Sequence, residues 1–524
     1  MSPTTPEMRQ VLWADDEIDL LRSQIIYLGE HGYEVTSVTN GEDAITLVAE
    51  RDFDLVLLDE MMPGRDGLST MDELKAMRPD LPVIMVTKSE EENLMNEAIG
   101  KRIDDYLVKP IKPSQIISAA KRVLDGRAIQ GEIAVRDYVT EFNEISAMIP
   151  DAGWKEWIDI HARLSEWDLE ISRLADQGII QMHHDQRKAC NAAFGRYVAI
   201  NYPNWVTDRN SGPILSPDVF SRFVAPHLKE GRQVYYIVVD CLRLDHWLAI
   251  EPLISEFLNV RHEYYLGILP SATPFARNAL FSGQFPKEMA EFYTELWEAG
   301  SDDEASLNRY EHEMMNGQLD RMGLRFSTPT KHSKLLSSEG AQNLLKRMGS
   351  FSGIPLVALV FNFIDQLAHG RSESDILREI TPDEAAFRSL TRSWFEHSAL
   401  MGILRQIART DAVVVFTTDH GSVLGTRGTL ARGNRDTSSS LRYKFGTNLY
   451  CDDKDAVFIR DPEVWGLPRA TPSTNCIIAK EDTYFVYPTR FNEFDRQYRN
   501  SFQHGGISLE EMVLPVVTMR SKRG

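Results

Sequence analysis

Short apolar runs that each lead into a polar residue recur in the first part of this 524-residue chain. Residues 9–14, 53–58, 82–86 and 105–108 are such runs, and amphipathic stretches separate them. Apolar runs of this length between helix-like segments are typical of buried parallel strands. The pattern predicts a doubly wound α/β domain over residues 1–125.

The pattern changes over residues 126–206, where apolar side chains recur at helical spacing and β-like alternation is missing. Trp154, Trp157, Leu164 and Trp167 are among them. This periodicity predicts a small helical bundle that acts as a spacer. The turn-rich residues 207–213 then indicate a linker at the start of a third domain.

Residues 207–524 return to the alternation of apolar strands and helices. Apolar runs at 234–239, 356–363 and 412–416 each end close to an aspartate. They predict a second and larger α/β domain. Three domains agree with the length, because a single hydrophobic core rarely grows beyond ~250–300 residues.

Composition and charge narrow the classes of protein. The chain is 43% hydrophobic and 26% charged, as in an ordinary folded protein. Its net charge of −20 and the lack of a helix-turn-helix signal or a strongly basic domain argue against duplex DNA binding. The four scattered cysteines fit a reducing cytoplasm. We see neither a signal peptide nor an apolar run long enough to span a membrane, so we expect a cytoplasmic protein.

Polar residues at the strand ends of the first domain form the first candidate site. They are Asp15, Asp16, Asp59, Thr87 and Lys109. In an open α/β sheet these positions converge outside the carboxyl ends of the strands. Three carboxylates suit Mg²⁺, and an aspartate beside a lysine suits attack on a phosphoryl group. Ordinary polar strand caps are the alternative, which five matched residues in this order disfavour.

This arrangement resembles the receiver domain of two-component response regulators, over about the first quarter of the chain. The resemblance implies that a sensor histidine kinase phosphorylates Asp59. The implied Mg²⁺ ligands are Asp15, Asp16, Asp59 and the main-chain carbonyl of Met61. The implied switch residues are Thr87, Tyr106 and Lys109. Receiver logic then predicts that phosphorylation exposes a self-pairing face and gives a homodimer.

Aspartates, histidines and one threonine form a second constellation in residues 207–524. In chain order they are Asp240, Thr273, Asp365, His369, Asp419, His420 and His504. Aspartate and histidine without cysteine are ligands for zinc or manganese, and six such residues make two three-ligand sites. Two metals would clamp the attacking and leaving oxygens of a phosphoryl group, with the threonine hydroxyl as nucleophile. Taken singly, each piece is a helix cap, a turn or a loop residue; their joint order at strand ends favours metal binding.

The same order resembles the alkaline phosphatase superfamily, and segments 237–243 and 504–512 resemble its PglZ branch. The resemblance covers residues 215–524 and implies an α/β alkaline-phosphatase-like domain with two Zn²⁺ ions. The ligands implied for one zinc are Asp365, His369 and His504, and those for the other are Asp240, Asp419 and His420, next to the nucleophile Thr273. A receiver, a helical spacer and a PglZ domain in one chain is similar to response regulators linked to type IX secretion in Bacteroidetes.

The residue type at the nucleophile position bears on the substrate. The sulfatase branch needs a cysteine or serine that becomes formylglycine, so Thr273 argues against sulfate esters. Threonine is common in the nucleotide phosphodiesterase branch that the site resembles. The candidate substrate contacts are Arg277, Asn278, Arg432 and Arg435. The last two lie in a basic loop with Arg442 and Lys444 that suits several phosphates, although a solvated surface loop explains it equally well.

The leading hypothesis is a zinc-dependent phosphodiesterase that phosphorylation of Asp59 gates, with nucleotide or oligonucleotide substrates. An alternative is a signalling scaffold whose metal domain binds a protein partner, for example a sigma factor. A phosphomonoesterase or phosphotransferase would use the same ligands.

Overall fold

The computed structural model describes residues 8–88, 103–174, 176–295, 308–433, 440–487 and 491–522. The chain forms two compact units, Met1–Glu141 and Phe142–Gly524. The helices expected for the spacer therefore lie mostly in the second unit. No helix in the described part of the chain is long and apolar enough to cross a membrane.

The first unit is built on a five-stranded parallel sheet in the order β2-β1-β3-β4-β5. Its strands are β1 Arg9–Ala14, β2 Tyr33–Val38, β3 Leu55–Asp59, β4 Val83–Thr87 and β5 Asp105–Val108. Its described helices include Ile18–Leu21, Arg22–Glu30, Gly41–Glu50 and Gly67–Met77, and Pro113–Met148 begins in this unit. The predicted doubly wound domain is confirmed. The hydrophobic pattern did not predict β2, because exposed polar residues interrupt the apolar positions of this edge strand.

Alternate side chains of the central strands fill two cores, one on each face of this sheet. Val11 and Trp13 lie in one hydrophobic cluster, whereas Leu12 and Ala14 lie in the other. This follows from the two-residue period of a strand. Because the strands are parallel, the polar residues at their carboxyl ends meet at one edge of the sheet.

The second unit begins with the helices of the spacer region. The long helices are Trp154–Leu174 and Gln177–Thr207. Trp157 and Phe194 from these helices share a hydrophobic cluster with Leu266 and Leu509 of the following α/β region. The spacer helices are therefore packed into the α/β region, which explains why they belong to the same compact unit.

A six-stranded mixed sheet forms the centre of the second unit, in the order β7-β18-β10-β6-β9-β8. Strand β18 runs antiparallel to β10 and β7, and β10, β6, β9 and β8 are parallel. The strands of this sheet are β6 Val234–Val239, β7 Leu258–Leu266, β8 Lys331–Leu335, β9 Leu356–Phe361, β10 Val413–Thr417 and β18 Val513–Ser521. The predicted mixed α/β fold with a large second α/β domain is confirmed.

Helices and small sheets surround the central sheet. The helices are Ala225–Lys229, Leu244–Ser255, Thr273–Ser282, Pro286–Phe292, Glu311–Arg321, Ser338–Lys346, Phe363–Glu373, Asp375–Ile380, Glu384–His397, Ala399–Ile407, Phe491–Tyr498 and Leu509–Met512. The short strands are β11 Val423–Gly425, β12 Arg427–Leu430, β13 Tyr443–Gly446, β14 Ala456–Ile459, β15 Asn475–Ala479, β16 Thr483–Val486 and β17 Ser501–Gln503. They pair as β11-β17, β12-β16 and β13-β15-β14.

Candidate metal and phosphoryl sites

Carboxylates and one lysine converge at the carboxyl edge of the first sheet. Lys109 Nζ lies 2.9 Å from Asp15 Oδ2 and 3.0 Å from Asp59 Oδ1. Asp15 and Asp59 are almost completely buried, whereas Asp16 is exposed. One oxygen from each of these three aspartates lies within 4.8 Å of the other two. The structure therefore brings together the acidic residues that the sequence placed at this site.

The electrostatics of this pocket favour a bound cation. Burial raises the pKa of Asp59, and the neighbouring Asp15 carboxylate adds to that rise. Burial opposes the charge on Lys109, but its hydrogen bonds to Asp15 and Asp59 outweigh burial and raise its pKa. One lysine faces three carboxylates, so the residues fit a divalent cation with oxygen ligands.

The other receiver positions lie around this pocket. The Thr87 hydroxyl at the end of β4 donates a hydrogen bond to the Glu60 carboxylate. Tyr106 on β5 and Met61 after β3 have 41% and 68% of their surfaces exposed. The Tyr106 side chain therefore lies partly in solvent in this structure.

In the second unit, Asp240, Asp419 and His420 form a fully buried group. Asp240 follows β6, and Asp419 and His420 follow β10, the neighbouring parallel strand. His420 Nε2 lies 3.5 Å from Asp240 Oδ1 and 3.9 Å from Asp419 Oδ2. Cys241 takes a left-handed conformation with φ 66°, and its backbone N–H donates to Asp419 Oδ1 over 3.3 Å. This sharp turn fixes Asp240 at the end of its strand.

Asp365, His369 and His504 form a second group beside the first. Asp365 and His369 lie one turn apart on the helix Phe363–Glu373, and His369 Nε2 is 3.3 Å from Asp365 Oδ1. His504 Nε2 is 3.6 Å from the same oxygen. The His504 ring stacks on the His420 ring with 4.1 Å between centroids, so the two groups are adjacent.

Both groups fit metal ions. Asp419 Oδ2 is buried and has no hydrogen-bond partner among the described residues, and its nearest guanidinium, on Arg277, is 3.7 Å away. Burial and the neighbouring Asp419 raise the pKa of Asp240 well above its usual range. Burial lowers the pKa of His504 well below its usual range, and the neutral ring is the form that binds metals. Aspartate and histidine in two three-residue groups are a donor set for zinc.

Thr273 lies between the ligands and solvent. It is the first residue of the helix Thr273–Ser282, whose second residue is Pro274, a proline position that suits a helix start. Its Oγ1 is 2.9 Å from His420 Nε2 and 3.5 Å from Asp240 Oδ1. The hydroxyl thus shares the centre of the buried group, and the positive end of the helix dipole favours an anion beside it.

The candidate substrate contacts lie in different environments. The Arg277 guanidinium is 5% exposed, pairs with Asp240 and is 2.8 Å from Glu311 Oε1. Asn278 is buried and donates to Pro274 O within its own helix, so it does not line the cavity. Arg432 is exposed and is also absent from the cavity wall. Arg435 lies outside the described residues.

A cavity of about 590 Å³ opens over both ligand groups. Its polar wall includes three residues that the sequence analysis did not single out, namely Asn308, Lys334 and Asn362. Asn308 Nδ2 donates to Thr273 O over 3.1 Å, and Asn362 Nδ2 donates to Asp240 Oδ2 over 2.6 Å. These hydrogen bonds join residues that are far apart in the sequence. The local sequence around Asn308 and Asn362 therefore does not predict them.

The loop that carries His504 is fixed from behind. Ser271 Oγ donates to Gly506 O over 2.7 Å, and Gly506 N donates to Glu511 Oε1 over 2.8 Å. The fully buried Arg442 pairs with Glu511. Arg442 was expected in a basic loop that binds phosphates. Its guanidinium instead forms a buried ion pair with Glu511, so it does not face a substrate.

Comparison with known proteins assigns the two units. A family model described as the response regulator receiver domain matches residues 11–121. The model described as the BREX system PglZ alkaline phosphatase-like domain matches residues 219–519, more than half of the chain. The chain belongs to the PglZ family, and its first unit is a response regulator receiver domain. The model described as the PorX response regulator linker domain matches residues 128–206, so the three matches in this order give a PorX-like architecture.

Individual relatives each match between a fifth and a quarter of the chain. Transcriptional regulatory protein ResD of Bacillus subtilis (strain 168) is 34% identical over 115 residues, which are 22% of this chain and 48% of that protein. The chain thus spans about half the length of this curated relative. A CheY-like receiver from Methanospirillum hungatei JF-1 is 24% identical and covers 24% of this chain and 99% of its own, with a TM-score of 0.23. The NtrX receiver from Brucella abortus is 31% identical and covers 22% and 98%, with a TM-score of 0.21.

Proposed function

We propose that this protein is a response regulator whose phosphorylation on Asp59 gates a zinc-dependent phosphodiesterase. Nucleotides or oligonucleotides are the proposed substrates, and the cytoplasm and the control of type IX secretion are the proposed setting. The observation that carries the enzyme proposal is the position of Thr273. Its hydroxyl lies within 3.5 Å of two members of a buried ligand group, and it faces an open cavity.

Two ligand sets would hold the zinc ions in the catalytic domain. The sets are Asp365, His369 and His504 for one ion and Asp240, Asp419 and His420 for the other. When bound, the ions supply positive charge that stabilises phosphoryl oxygens and lowers the pKa of a bound hydroxyl.

Thr273 is the proposed nucleophile. In the proposed step, Oγ1 forms a new bond to phosphorus as the bond to the leaving alkoxide breaks, and the hydroxyl proton passes through water in the open cavity to the alkoxide, which leaves as an alcohol. Water then attacks the phosphorus of the resulting threonine phosphodiester. Its hydroxyl stays on the released phosphate monoester, and its proton restores the Thr273 hydroxyl. Arg277 holds Asp240 in place, and Asn308 holds the Thr273 carbonyl, so the nucleophile keeps one position.

The cavity supports a substrate larger than phosphate alone. Its volume of about 590 Å³ falls within the ~300–1,000 Å³ typical of small-molecule sites. Lys334 and the half-buried Tyr498 both line the cavity, where they would offer a cation to phosphate oxygens and an aromatic ring to a base. A diester with a nucleoside on one side fits this distribution of charge and aromatic area.

In the receiver domain, the proposed phosphoryl acceptor is Asp59 and the proposed donor is a sensor histidine kinase. Asp15, Asp16, Asp59 and the main-chain carbonyl of Met61 are the proposed Mg²⁺ ligands. Lys109 contacts Asp15 and Asp59 and is placed to neutralise added phosphate charge. Thr87 and Tyr106 are the proposed switch, and a homodimer is its proposed output.

The test compares a diester, bis-(p-nitrophenyl) phosphate, with the matching monoester in zinc-loaded protein. We expect faster turnover of the diester, and an increase when beryllofluoride mimics phosphate on Asp59. Asp59→Asn is the matched control and should lose only the increase. Preferential turnover of the monoester would replace the diesterase by a phosphomonoesterase. Equal rates with and without beryllofluoride would refute the gate.

A further inference from the structure

A layer of buried charged side chains lies directly behind the loops that carry the candidate zinc ligands. The layer combines the linker helices Trp154–Leu174 and Gln177–Thr207 with the helix Glu384–His397 and the segments that follow Asp240 and His504. Its charged members are Asp168, Arg187, Arg243, Asp245, Glu384, Arg388 and Glu510. The most exposed of these side chains is only 22% accessible. Four carboxylates therefore face three guanidinium groups away from water.

Arg187 of the linker contacts three of the four carboxylates in this layer. Its Nη1 lies 3.2 Å from Asp168 Oδ1 and 3.0 Å from Glu384 Oε2, and its Nη2 lies 2.6 Å from Glu510 Oε1. One turn further along the same helix, Asn191 Nδ2 donates to Glu510 Oε2 over 3.0 Å. Two side chains of the linker helix thus bind the Glu510 carboxylate.

The backbone of Glu510 in turn supports the loop that carries His420. Gly421 follows His420, and a Cβ built on Gly421 would lie 1.9 Å from Glu510 O. The Gly421 N–H donates to Glu511 O over 3.2 Å. No space separates the two backbones here, so a displacement of Glu510 is transmitted to His420.

Arg243, which lies three residues after Asp240, forms a second connection between the charged layer and the ligand loops. Its Nε lies 2.9 Å from Asp245 Oδ1, and its Nη1 pairs with Glu384. Glu384 is therefore shared between Arg243 and Arg187. The segment after Asp240 therefore contributes charges to this layer, and the segment after His420 contacts the backbone of its member Glu510.

We propose that Arg187 is a positioning residue for the buried zinc site formed by Asp240, Asp419 and His420. The linker then forms part of the catalytic unit, because its helix holds the supports of two ligand loops. Loss of Arg187 would leave four carboxylates against two guanidinium groups, and Glu510 would move toward water. This inference rests on the proposed zinc occupancy, but it predicts metal affinity and does not depend on turnover.

The test measures zinc affinity of the full chain by competition with a chromogenic chelator. Arg187→Met is expected to weaken one of the two zinc sites at least tenfold, in the range known for residues that orient metal ligands, and to leave the other site within twofold of wild type. Phe194→Leu is the matched control, since Phe194 lies on the same helix and is fully buried in a hydrophobic cluster. It is expected to lower the melting temperature while zinc affinity stays within twofold of wild type.

Each outcome bears on the inference. Wild-type affinity in Arg187→Met, or an equal loss in Phe194→Leu, would overturn it, because the helix would then act only on overall stability. If Arg187→Met does not fold, the double variant Arg187→Gln and Glu510→Gln takes its place. It removes one charge of each sign and is expected to show the same tenfold loss of zinc affinity. A wild-type protein that binds no zinc would overturn both this inference and the proposed function; zinc binding without turnover would contradict only the latter.

Discussion

Replacing Gly421 by alanine tests how tightly the ligand loops are packed. The added Cβ would lie 1.9 Å from Glu510 O, where ordinary contact begins at 3.4 Å, so the backbones must separate by roughly 1.5 Å. His420 immediately precedes this position and moves with it. We expect a loss of ~1–3 kcal/mol in the free energy of unfolding from the overpacking. A shift of about 1 Å at a reacting site costs ~10²-fold in rate, so diester turnover should fall by about that factor.

The assay for this prediction combines urea unfolding, zinc content and hydrolysis of bis-(p-nitrophenyl) phosphate. Gly349→Ala is the control, because Gly349 is exposed and a Cβ there meets nothing within 4 Å. The control should match wild type in all three measurements. Wild-type zinc content and turnover in Gly421→Ala would refute the reasoning, since the loop would then relax without moving His420.

Three further predictions concern switching, pH and metal. Beryllofluoride should raise the dimer fraction of wild type but not of Asp59→Asn in light scattering, and an unchanged wild-type mass would contradict the dimer. Burial lowers the pKa of His246 to about 4, so the stability that its neutral ring contributes is present above pH 6.5 and is lost as the pH drops toward 4. Wild type should lose ~1.6 kcal/mol more than His246→Leu between pH 6.5 and 5 in urea unfolding. Free zinc at about 1,000 Kd should add ~4 kcal/mol per site to the unfolding free energy of chelator-treated protein, and no added stability would argue against zinc binding at both sites.

The arrangement of polar residues at strand ends was predictable because it follows from sheet topology. Parallel strands bring their carboxyl ends to one edge, so Asp59 in one unit and Asp240 in the other could be placed from apolar runs alone. The i, i+4 spacing of Asp365 and His369 likewise predicted one helix face, and the structure shows that helix.

The roles of buried arginines were not predictable from the local sequence. Arg442 lies in a Gly- and Ser-rich stretch that suits a phosphate loop, yet it is fully buried against Glu511, 69 residues away. Arg187 lies on a helix that suits a simple spacer, yet its partner Glu510 is 323 residues away. Pairing over such separations depends on the tertiary fold, and hydrophobic periodicity carries no information about it.

The most direct test of the central claim is diester turnover by wild type and Thr273→Ala, with zinc occupancy measured on the same samples. The account predicts two bound zinc ions in wild type, turnover that stops when zinc is removed, and zinc-loaded Thr273→Ala protein without turnover. Equal turnover by Thr273→Ala, or no turnover by wild type with both sites filled, would contradict it.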